Sequence, residues 1–158
     1  MTSLTDLVWT RLGEVDSLTF SSKSEAAGPT GWNAEASGRV TPQVVSPDCL
    51  VLAESGSWRN PAGKVFDFTN TWRWRRQGDN MGLEHLRFGP DRPVPLFGLE
   101  PVGERIMASS AAHVCAEDLY TASLELCGNG EIRLTWKVNG PALKEVIDYC
   151  YYQAGRRS

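Results

Sequence analysis

His85 and His113 are the chain's two histidines, and each stands among residues able to hold a metal or move a proton. His85 lies between Glu84 and Arg87, while His113 opens the series His113-x-Cys115-x-x-Asp118-x-Tyr120. Both imidazoles together with Cys115 or Asp118 would make the three-ligand set of a catalytic zinc or non-haem iron. A lone His113 projecting into an apolar cavity is what an axial haem ligand requires. Glu54, His85, Arg87 and Tyr120 are the residue types that isomerases and lyases use as acids, bases and charge stabilisers. The plainer alternative is a pair of core histidines whose ring nitrogens bond across neighbouring strands. Nothing in the spacing brings the two histidines together, so the residues assign no catalytic group, no metal site and no cofactor. No nucleophile elbow, phosphate-cradling glycine loop or dinucleotide fingerprint occurs.

The elements that must position these residues are strands. Ile132, Leu134, Trp136 and Val138 alternate with Arg133, Thr135 and Lys137, which predicts a strand with one apolar and one polar face. Cys127-Gly-Asn-Gly-Glu before it has the glycines and asparagine of a tight hairpin turn. Gly140-Pro141 ends it, and a last strand follows through Tyr149 and Tyr151, so the C-terminal part is an antiparallel meander. Val65 to Arg75 sends Phe66, Phe68, Asn70, Trp72 and Trp74 to one side, the most aromatic face in the chain. Upstream, Leu18 and Phe20 alternate with polar neighbours before a Ser/Gly/Pro-rich run, 21–30, that reads as a loop. Trp32, Ala34, Ala36, Gly38 and Val40 share a face whose small residues suit a tightly curved strand. Pro42 and Pro47 bracket a predicted break, and Cys49 to Glu54 follows as a strand. Asn60-Pro-Ala-Gly63 and Gln77-Gly-Asp-Asn80 are turns, and Leu83 to Phe88, Leu96 to Leu99 and Val102 to His113 are further strands. Glu54 shares the parity of Leu50 and Leu52, so it points toward the apolar side, where a carboxylate needs an arginine or several hydrogen bonds.

Only the N-terminus departs from period two. Ser3 with Asp6 has the form of a capping box, and Leu4, Leu7, Val8 and Leu12 fall at helical spacing up to Gly13. So short a helix must dock on something, such as the mouth of a barrel. About nine or ten short antiparallel strands with one buried face would leave exposed edges in an open sheet, so closure is expected. The expected fold is all-β: an antiparallel up-and-down barrel with a short N-terminal helix. The expected organisation is a single domain over 1–158, with the helix at 1–13, the barrel at 14–153 and a tail at 154–158.

Composition narrows the function classes. The 158 residues are 41% hydrophobic and 22% charged, an ordinary globular balance, and the net charge of -3 advertises neither nucleic acid nor an anionic membrane as a partner. The basic cluster Arg73-Trp-Arg75-Arg76 reads as the polar face of a half-exposed strand. No run approaches the roughly 20 apolar residues of a membrane-spanning helix, and the N-terminus lacks the basic and then apolar regions of a secretory signal, so a cytoplasmic location is expected. Cys49, Cys115, Cys127 and Cys150 show no CxxC spacing, and reduced, mostly buried thiols are expected.

His113-x-Cys115-x-x-Asp118-x-Tyr120 and Trp136-x-Val138-x-Gly140-Pro141-x-x-Lys144 resemble the late strands of an uncharacterised family of small lipocalin-like domains in the calycin group. Glu54-x-Gly56 and the aromatic-arginine strand around Trp72 and Arg73 are similar to its earlier strands. Ala142-Leu143 lacks the extra basic residue of that pattern, which leaves the role of Lys144 open. The resemblance implies a barrel with a cavity and carries no activity with it. The function expected from it is binding of a small, mainly apolar or amphipathic molecule in the barrel interior. Trp72, Trp74 and Trp136 would form apolar walls, with Asn70, His85, Arg87, His113 and Tyr120 as polar contacts orienting a carboxylate or carbonyl. The alternatives are an isomerase, a lyase or a tetrapyrrole-handling barrel using His85 or His113, and a filled barrel serving as a protein-interaction module.

Overall fold

The structure of the protein is a computed structural model that describes residues 2–24, 33–109, 113–115, 118–140 and 144–156; at 33, 113–115, 118 and 156 only the backbone is described. Its strands are β1 (Ser17–Ser24), β2 (Asn33–Ser46), β3 (Cys49–Arg59), β4 (Val65–Gln77), β5 (Asn80–His85), β6 (Val94–Pro101), β7 (Ile106–Ala108), β8 (His113–Cys115), β9 (Asp118–Leu126), β10 (Ile132–Asn139) and β11 (Lys144–Tyr152). Neighbours pair antiparallel in chain order, except that β7 passes to β9, and β8 pairs with the start of β9. The first strand meets the last, from Ser17 opposite Tyr152 to Ser24 opposite Glu145, so ten strands close into a barrel. Closure removes the free edges that so many short strands would otherwise expose.

Period two decides what faces inward. On β10 Ile132, Leu134, Trp136 and Val138 are buried; on β3 Leu50, Leu52 and Glu54 are, and on β4 Trp72 and Trp74. Gly38 and Gly56 sit opposite each other, and a Cβ on Gly38 would lie 2.2 Å from the Ser55 carbonyl oxygen. Only glycine permits β2 and β3 to bend together so closely at this point.

The helix α1 (Leu4–Leu12) carries the capping box read from the sequence: Ser3 Oγ accepts from the Asp6 N–H at 3.0 Å, and Asp6 accepts from the Ser3 N–H at 3.1 Å. Its docked stripe is Thr5, Val8 and Leu12, whereas Leu7 is 48% exposed. Thr5 wins the inward position because its hydroxyl donates to the Asp79 carbonyl at 2.8 Å, and Arg76 pairs with Asp6 at 2.5 Å. Both partners belong to the β4–β5 hairpin, so the helix plugs that end of the barrel.

Four sequence expectations shift. β1 runs on to Ser24, because the serines of 21–24 find ladder partners on β2 and β11. No break follows Pro42, which lies inside β2; β1 stops pairing at Arg39, so on that edge the missing N–H of Pro42 deprives no partner. The strand expected over 83–88 occupies 80–85, paired in regular register with β4 so that Leu83 and His85 stand opposite Trp74 and Trp72, while its pairing with β6 shifts register at Leu83/Glu84. The strand expected over 102–113 appears as the short pieces β7 and β8 on one edge of β9. Among the described side chains Cys49, Cys127 and Cys150 take part in no disulfide, Cys49 buried and the other two half-buried. No helix among the described residues is long and apolar enough to cross a membrane.

Candidate functional site

From α1 upward the interior is filled by Val8, Leu12, Leu18, Trp74, Leu124 and Ile132, each at most 1% exposed. Filling stops part-way. Toward the end opposite the helix a cavity of about 360 Å³ opens, its floor made by Asn70, Trp72, Trp136 and Tyr149. Phe20, Trp58, Phe68 and Ile147 form apolar walls, and Ser22, Ala34 and Glu145 complete them. A larger depression of about 700 Å³ runs past Thr19, Ser21, Thr135, Asp148 and Cys150. The interior cavity has the composition of a ligand site, mostly aromatic with a few convergent polar groups.

Tyr149 is the hub of the floor. Its ring stacks on Phe20 and on Trp136, each at 5.1 Å, and on Tyr151 at 5.5 Å, while Trp72 meets Trp136 edge to face at 5.7 Å. Pairs of this kind contribute about 0.5–1.5 kcal/mol each beyond area burial, so the floor is rigid before anything binds. At the rim Trp58 stacks on Phe66 at 4.5 Å.

Under the floor lies Glu54, 3% exposed, with Asn70 as its cross-strand partner. The Tyr151 hydroxyl donates to Glu54 Oε2, while Glu54 Oε1 and the nearby Trp72 Nε1 are buried without a hydrogen-bond partner. Burial pushes the Glu54 carboxyl up from 4.5 to about 7, and Tyr151 and the Trp72 indole pull weakly the other way. Burial, and then the Glu54 charge, raises both Tyr149 and Tyr151 well above the ordinary phenol range, so both remain donors. Higher up, the Ser22 hydroxyl donates to Glu145 Oε1, joining β1 to β11 across the cavity wall.

The residues singled out in the sequence fall in different places. Asn70, Trp72 and Trp136 line the cavity together. Trp74 is buried nearer the helix, against Phe97 at 6.3 Å. His85 stacks on Trp72 at 4.3 Å, half-buried and outside the lining, its pKa lowered by burial and then by Arg87. Arg87 is exposed, over the Phe88 ring at 4.8 Å, and Tyr120 is half-buried opposite Val138. The side chains of His113, Cys115 and Asp118 lie outside the described residues, and no metal-binding group of three occurs among the described ones.

Sequence reasoning passed over Ser22, Trp58, Glu145 and Tyr149. Parity held the signal for each: Ser22 with Leu18 and Phe20, Trp58 with Leu52 and Glu54, and Glu145 and Tyr149 with Tyr151. Ser22 was hidden because its serine-rich surroundings imitate a loop.

Residues 17–153 match a family described as a family of unknown function, DUF6314. No curated protein matches the chain. Among solved structures, one titled EF1p2_mFAP2b bound to DFHBI aligns with a TM-score of 0.46 at 10% identity, covering 96% of this chain and 100% of that one. A redesigned β-barrel, mFAP1, bound to DFHBI aligns with a TM-score of 0.41 at 11% identity, covering 89% of this chain and 96% of the other.

Proposed function

The chain belongs to DUF6314, a family of unknown function, and we propose that the protein is a lipocalin-like binding barrel that takes a small, ring-bearing, mainly apolar molecule through the end opposite α1. The observation that carries this reading is where side-chain filling stops. A barrel of about eight strands can be filled by its own side chains, and interior width grows with strand number. Ten strands leave more room, and here the inward positions of β1 and β2 near the mouth are small, Ser22 and Ala34, with Gly38 and Gly56 below them. The space left over, about 360 Å³, lies within the roughly 300–1,000 Å³ of small-ligand pockets.

The aromatic lining favours a ring-bearing guest. Asn70 and Glu145 supply orienting polar contacts. His85, the histidine an acid/base enzyme would use, shares the inward face of Trp72 and stacks on it at 4.3 Å, behind the residues that line the cavity.

Native mass spectrometry of the purified protein, followed by fluorescence titration with the neutral probe N-phenyl-1-naphthylamine, tests the reading. One retained molecule or one bound probe per chain is expected, with loss of binding in Ala34→Trp, which fills the cavity. No retained molecule, no probe binding and no change on filling the cavity would defeat it.

A further inference from the structure

The cavity has a charge bias as well as an aromatic lining. Glu145 is in its wall, and none of the described residues lining it is a lysine, arginine or histidine. Glu54 lies one layer down, buried, with its Oε2 accepting the Tyr151 hydroxyl. The basic residues on the mouth side, among them Lys23, Arg59, Lys64, Arg87, Arg92 and Lys144, are exposed and none lines the cavity, and Lys64 stands over the rim residue Phe66 at 5.1 Å.

From this arrangement we infer, resting on the binding reading above, that the natural guest is an organic cation, an aromatic or short-chain amine or quaternary ammonium, held against the Trp58, Trp72, Trp136 and Tyr149 rings with its charge toward Glu145. Aromatic faces carry negative potential, and a ring set of this kind attracts a desolvated cation far more strongly than an exposed ring does. A carboxylate in the same enclosure adds attraction that water screens poorly. The same features oppose an anion. A carboxylate guest would meet Glu145 with no described counter-charge in the wall, so the cavity rejects the acids that a basic lining would select. Ser22, bonded to Glu145 Oε1, holds the carboxylate against the wall and leaves Oε2 to meet the guest.

A matched series decides it: benzyltrimethylammonium, its uncharged carbon isostere neopentylbenzene, and the anion benzylsulfonate, titrated by tryptophan fluorescence and calorimetry against the full-length protein and Glu145→Gln. The cation should bind best and the anion worst. In Glu145→Gln, with correct folding checked by circular dichroism, the ratio of cation to neopentylbenzene affinity should fall on the order of tenfold. Should Glu145→Gln fail to fold, the order of the three affinities in the unmodified protein still decides. Equal binding of cation and isostere, or better binding of the anion, overturns the inference and leaves the cavity reading standing. Binding of none of the three removes both.

Discussion

Replacing Glu54 by glutamine should abolish an unusual pH dependence of stability. The carboxyl is 3% exposed and its pKa rises from 4.5 in an open chain to about 7 in the barrel, chiefly through burial. Folding therefore takes up a proton over this range. The stability tied to the neutral acid is fully present below about pH 4.5 and is lost as pH rises through about 7. At 1.36 kcal/mol per pH unit of separation, the loss is on the order of 3 kcal/mol, of which about 2.5 falls between about pH 5 and about pH 8. That is a large part of the roughly 5–15 kcal/mol by which domains are stable. His85 acts with the opposite sign, since burial lowers its pKa and its contribution is lost as pH falls. Asp6, Asp16 and Glu84 have lowered values, so their stabilisation fades only in more acidic solution. The difference between unmodified protein and Glu54→Gln isolates the carboxyl, and repeating it on a His85→Gln background removes any coupling through Trp72. Urea unfolding followed by tryptophan fluorescence at each pH gives the numbers. Unmodified protein should lose stability relative to Glu54→Gln as pH rises. A difference that stays flat, or slopes the other way, would refute the burial argument whatever the absolute stability of the glutamine variant, whose amide must find its own partners.

Other outcomes follow from the same structure. Gly38→Ala puts a Cβ 2.2 Å from the Ser55 carbonyl oxygen and should cost about 1–3 kcal/mol or more in urea unfolding. Leu124→Ala, at the filled end, should cost about 2–5 kcal/mol yet leave affinity for a neutral probe within a few-fold, because the cavity floor is made by other residues. Ser3→Ala removes the helix cap and should lower stability by about 1 kcal/mol, seen as a lower thermal midpoint. Under denaturing conditions, Cys49, Cys127 and Cys150 should all titrate with a thiol reagent without prior reduction.

The barrel was legible because its signal is repetitive. Alternation in β4 and β10, glycine-bearing turns at Gly63, Gly78 and Gly130 with positive φ, and the capping box are local rules that survive folding unchanged. Glu54 was legible too, since its parity with Leu50 and Leu52 sent a carboxyl inward, although the partner is one tyrosine where an arginine or several bonds were expected. The rest depends on which strands meet. Tyr151 reaches Glu54 across 97 positions of sequence, and Ser22 reaches Glu145 across 123. No periodicity encodes such pairs; they exist because β1 closes on β11. Where the cavity begins was likewise invisible, because it depends on small residues of β1 and β2 facing large ones of β4 and β11.

The most direct test uses the tryptophans as position markers in a titration followed by nuclear magnetic resonance of their indole N–H groups. Trp58, Trp72 and Trp136 line the cavity, whereas Trp9 and Trp74 pack toward the helix-plugged end. Addition of a bound aromatic ligand should move the first three signals and leave the other two in place. Shifts confined to Trp9 and Trp74, or signals that all stay still while the ligand demonstrably binds, would put the site elsewhere and contradict the account.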